Sequence, residues 1–175
     1  MNRRIHVALI GVTVMALTVF MVQAQQGPKK EKMNSMTSMG QEEMNKRGDH
    51  VMGFDHNKTT HHFRLSPQGG SIEITANSPE DTESRDQIRS HLGHISKMFA
   101  DGDFDAPVLI HEQTPPGVSV MQKLKSEIEY RFEETERGAT IHMSTRNGKA
   151  LQAIHKFLRF QIKEHKTGDS LEVTL

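Results

Sequence analysis

The chain has 175 residues, 22 basic and 22 acidic side chains, 11 histidines and no cysteine. That length suits one ordinary domain with a real core, and the even charge argues against nucleic acid as the main partner, since phosphate binding wants a basic surplus. The absence of cysteine excludes disulfides, thiolate nucleophiles and lipoprotein anchoring, which leaves the chemistry to His, Met, carboxylates and hydroxyls.

Arg3 and Arg4 precede an apolar and small-residue run, Val7–Val22, and Val22-Gln23-Ala24 offers a small-residue cleavage site. This is the three-part anatomy of a signal peptide over residues 1–24, and the run is short for a membrane span. It predicts an exported bacterial protein, periplasmic or secreted, with no membrane span after cleavage. The alternative is a retained N-terminal anchor.

Residues 25–58 carry almost no branched aliphatics but hold Met33, Met36, Met39, Met44 and Met52, with His50 and His56. Such a composition buries too little apolar surface to offset ordering entropy. The expectation is a flexible Met/His-rich arm that orders near Met52-Gly53-Phe54.

The folded part is expected over 59–175. Phe63 and Leu65 alternate with polar residues, Ser66 to Gly70 reads as a turn, and Ile72, Ile74 and Ala76 alternate again, giving a hairpin with one buried face. Ser78 then looks like an N-cap with Pro79 at the first helical position, and Ile88, Leu92, Ile95 and Phe99 form the stripe of an amphipathic helix. Residues 104–124 read as a linker with a short helical turn at Val118–Leu124. The plan then repeats: Ile128, Tyr130 and Phe132 alternate, Glu136-Arg137-Gly138 turns, and Ile141 and Met143 alternate. Asn147 caps a helix with Leu151, Ile154, Leu158 and Ile162 on its apolar face. The predicted fold is α+β, two β-hairpin–helix units with an antiparallel sheet and both helices packed on one face. The expected core is Phe63, Leu65, Ile72, Ile74, Ile88, Leu92, Ile95, Phe99, Ile128, Tyr130, Ile141, Leu151, Ile154, Leu158 and Ile162.

Candidate chemistry lies in three places. In the arm, Met33, Met36 and Met39 bring soft thioethers together at spacings of three, which suits Cu(I) or Ag(I). On the first helix, His91, His94 and Met98 fall within a band about 60° wide, so that neighbours could converge on one ion. A merely amphipathic shoulder would instead leave Met98 buried among aliphatics and His94 alone in solvent. At the start of the first strand stand His61 and His62, which as neighbours must point to opposite faces, so at most one belongs to a given site. His155 and His165 lie about 15 Å apart along the second helix and cannot share a metal; they read as hydrogen-bonded core-edge histidines. His142 belongs to the open face of the sheet.

Three segments, MGFDHNKTTHHF (52–63), APVLIHEQTPPG (106–117) and LRFQIKEHKTGD (158–169), resemble a family of small uncharacterised exported bacterial proteins. The resemblance covers nearly the whole domain. It implies that the Thr-Thr-His-His-Phe opening and the Phe-Gln-Ile-Lys-Glu-His end belong to a common design, and it carries no activity over.

Enzyme motifs are absent: there is no G-x-S-x-G, no phosphate loop and no H-E-x-x-H. The expectation is an exported binding protein rather than an enzyme, binding or buffering copper or another soft metal through Met33, Met36, Met39, His61, His62, His91, His94 and Met98. The alternative is a small-ligand or protein-binding module with structural histidines and no metal. A third reading is an enzyme site built from His61, His62 and His111, and any haem would have to be non-covalent.

Overall fold

A computed structural model describes residues 27–174; the signal peptide expected over 1–24 lies outside them, as do the side chains of Met33 and Met36. The elements are helix α1 (Gly27–Met52), strands β1 (Thr59–Ser66) and β2 (Gly69–Ala76), helices α2 (Thr82–Ala100), α3 (Asp105–His111) and α4 (Val118–Lys123), strands β3 (Ile128–Thr135) and β4 (Gly138–Thr145), and helix α5 (Gly148–His165). The chain divides into two units after Gly40. In the first, Met39 is exposed. The second, Gln41–Leu175, holds everything from β1 onward.

The strands form one antiparallel sheet in the order β1-β2-β4-β3. Each hairpin closes through two residues, Pro67-Gln68 and Glu136-Arg137, and the second strands of the two hairpins pair at the centre. The fold is therefore the expected α+β arrangement of two β-hairpin–helix units. Alternation dictates the layers: Phe63, Ile72, Ile141 and Phe132 align across the sheet in one row, and Leu65, Gly70, Met143 and Tyr130 in the next. On this face Ile88, Leu92, Ile95 and Phe99 of α2 and Ile154, Phe157, Leu158 and Ile162 of α5 complete the core. Phe99, Phe104 and Phe157 pack ring to ring at its centre, 4.4 to 6.0 Å between centroids. Gly70 has to be glycine because a Cβ there would lie 2.4 Å from the Leu158 side chain and 2.2 Å from the Arg64 carbonyl oxygen.

Four details differ from the sequence reading. The arm segment is helical over Gly27–Met52. Glu42 pairs with Lys46 at 3.1 Å in the favourable i,i+4 order, and Met44 and Gly48 are buried on one stripe that continues to half-buried Met52. Glycine in that stripe hides the helical period from a hydrophobicity count. The α2 cap is Asp81, whose carboxylate accepts from the Ser84 N–H at 3.0 Å, while Ser78 forms a local turn with Glu80. Helix α3 occupies part of the expected linker. Tyr130 and Leu151 are only half-buried; Ala150 and Ala153 take the innermost positions of α5 instead.

Candidate functional site

Strand alternation decides which histidine of the pair enters the core. His61 shares its face with Phe63 and Leu65 and points inward, whereas His62 turns to the outer face, where its Nδ1 donates to Asp169 Oδ1 at 2.9 Å. Asp169 also accepts from the Phe63 N–H at 2.9 Å and from Thr167 Oγ1 at 2.7 Å. It ties the segment after α5 to the edge of β1.

That clamp places the end of α5 beside the start of β1. His165, the last residue of α5, stacks its ring on His61, with centroids 5.6 Å apart and planes 13° apart. It also lies 5.5 Å from the Phe63 ring. His111, the last residue of α3, stands nearly perpendicular to His165 at 5.1 Å and is only 8% exposed. His91 reaches the same place from α2, with Phe54 packed between it and His61 at 5.6 and 6.1 Å. Four histidines from four elements, with Met52 and Gln161, thus line a pocket of about 70 Å³ whose other walls are Phe, Ile, Leu, Ala and Pro. No acidic side chain lines it among the described residues.

Burial keeps these rings neutral. It pushes His61 and His91 down to about 4 and His165 to about 3, with smaller pushes from neighbouring histidines, and it lowers His111 as well. Their nitrogens are not all satisfied. His111 Nε2 donates to Gln161 Oε1 at 3.0 Å, which leaves the lone pair of Nδ1 without a partner, and His61 Nε2 and Gln161 Nε2 are also buried and unpaired. Unmatched buried polar atoms cost about 1–3 kcal/mol each, so several in one small cavity need a reason.

The other expected ligands lie elsewhere. His94 is exposed, and Met98 packs half-buried against the core, so the band on α2 is divided and only His91 faces the cavity. His155 Nε2 donates to the Ser66 carbonyl at 2.9 Å, as a core-edge histidine should. His165, read the same way, differs: it belongs to the cluster. His142 sits on the open sheet face, 3.2 Å from Glu133. Met39 is exposed.

Two further features are less apt for chemistry. Asp49, Asp55 and His56 bring ligand atoms within 4.8 Å of one another. Asp49 already accepts from both the backbone N–H and Nδ1 of His56, at 2.8 and 2.9 Å, which makes this a local brace at the end of α1. A roomier hollow, about 600 Å³ along Gln68, Glu127, Glu129, Thr145 and Arg146, is an open polar groove without a histidine. No protein-family model, curated protein or solved structure matches this chain.

Proposed function

We propose that the protein is an exported, non-enzymatic metal-binding protein that holds a soft ion, Cu(I), inside the His61–His91–His111–His165 cluster. The observation that carries this reading is a small, largely apolar pocket with neutral imidazoles at its wall, two of which, His61 and His111, have buried ring nitrogens without a partner. Neutral imidazole is the form that ligates metal, and burial keeps it free of proton competition at neutral pH. Two imidazoles sharing an ion place their ring centroids about 5 Å apart, given metal–nitrogen bonds of about 2 Å. The His61–His165 and His111–His165 spacings of 5.6 and 5.1 Å suit that arrangement. Among the described residues no three of these histidines hold ring nitrogens within 4.8 Å of one another, so binding requires the rings to turn towards the ion about χ2, a soft torsion. The lack of a lining carboxylate and the presence of Met52 favour a soft monovalent ion over zinc or calcium. Export rests on the leader.

The histidine-lined pocket itself, about 70 Å³, is room for an ion with a water, whereas small-molecule sites enclose about 300–1,000 Å³. The test is copper content after anaerobic exposure of the full chain to Cu(I) with ascorbate, followed by desalting. One copper per chain is expected, lost in H61Q and H165Q and kept in H62Q and H94Q. Equal copper in all five proteins would sink the assignment.

A further inference from the structure

A second cavity, about 380 Å³, lies against the first and opens between α1, the start of β1 and the end of α5. Met52, His61 and His165 line both, so the stacked His61–His165 pair and Met52 form the partition between them. The outer cavity adds Met44, which is 6% exposed, and has Gly48, His56, Thr60 and Lys166 on its wall. No carboxylate lines it among the described residues. Two thioethers on one stripe of α1 therefore face two neutral imidazoles, one of which, His61, has a buried and unpaired Nε2. A cavity that served only to hydrate the surface would not need a soft donor buried at its wall.

We propose that this outer cavity is a loading vestibule for Cu(I): Met44 takes the ion from its donor, Met52 receives it, and His61 and His165 draw it inward by turning about χ2. This rests on the metal reading above. The step is ligand exchange throughout. Copper–sulfur bonds break as copper–nitrogen bonds form, the imidazoles enter neutral so no proton is released, and the ion stays Cu(I). Thioethers suit the outer position because they are uncharged and bind Cu(I) without holding it as firmly as a thiolate. The vestibule also sets selectivity, because hard dications find no oxygen anion on the way in.

The experiment separates rate from equilibrium. Cu(I) held by bicinchoninate is mixed anaerobically with excess full-length protein, and decay of the coloured complex gives the loading rate, while its endpoint gives the affinity. Met44→Leu keeps volume and burial, so it folds as the parent does. It is expected to load roughly tenfold more slowly, with endpoint and stoichiometry unchanged. Met98→Leu, on α2 and outside both cavities, is expected to match the parent in both. If Met44→Leu loads at the parental rate, the vestibule is refuted and the metal site stands. A lower endpoint in Met44→Leu with an unchanged rate makes Met44 a ligand of the resting site and also refutes it. If the parent takes no copper from the chelator, both readings fall together.

Discussion

Lowering the pH from 7 towards 4 strips stability from the metal-free protein earlier than carboxylate titration would. An unfolded histidine titrates near 6.5, whereas burial holds His61 and His91 near 4 and His165 near 3. Between those values the unfolded chain binds protons that the folded chain refuses. The contribution is therefore fully present above about pH 6.5, is lost as the pH falls, and flattens out only below the folded pKa values. Each histidine is worth on the order of 3 kcal/mol across its window. Between pH 6 and 5 the three together take up between two and three protons on unfolding, a slope of about 3–4 kcal/mol per pH unit. Buried His111 adds to it in the same direction. Ordinary domains hold only about 5–15 kcal/mol, so the midpoint of acid unfolding falls in this range rather than near pH 3. Urea titrations with chelator present, at pH 7.0, 6.0, 5.5 and 5.0, give the slope directly, and H165Q reduces it by about one proton. A slope below one proton in the parent would refute the neutral buried cluster.

Three further consequences are independent of metal, and a fourth concerns the arm. Tyr130 Oη is buried without a partner, and burial pushes its pKa up, so Y130F should be neutral or slightly stabilising in denaturant titrations rather than costing a hydrogen bond. Asn147 accepts from the N–H groups of Lys149 and Ala150 at 2.9 and 3.2 Å, so N147A should cost about 1 kcal/mol. Leu158 is fully buried under the sheet, and L158A should cost about 2–5 kcal/mol with no change in denaturant slope. Replacing Met33, Met36 and Met39 together by Leu should leave copper stoichiometry at one by elemental analysis.

Much of the fold was written in local periodicity. Phe63, Leu65, Ile72 and Ile74 announced a half-buried hairpin, and Ile88 to Phe99 a helix, because each signal repeats within a few residues. The inward turn of His61 follows from the same alternation, since it is two residues before Phe63. The cluster does not. Helical spacing relates His165 to His155, on the same helix, whereas its spatial neighbour is His61, brought to it by the Asp169 clamp from over a hundred residues away. His111 came from a segment whose single apolar turn of helix gives too short a period to stand out. Segments 52–63, 106–117 and 158–169 hold one member each of the trio His61, His111 and His165. The stripe of Met44, Gly48 and Met52 stayed hidden because glycine counts as nothing on a hydropathy scale.

The most direct test of the copper assignment is X-ray absorption at the copper edge of the loaded full-length protein. The expected spectrum is that of Cu(I) with two or three imidazole nitrogens at about 2 Å, their outer-ring scattering visible, and no more than one sulfur. H61Q and H165Q should abolish that imidazole signature. A spectrum dominated by sulfur, or one unchanged by both substitutions, would place copper outside the histidine cluster and contradict the account.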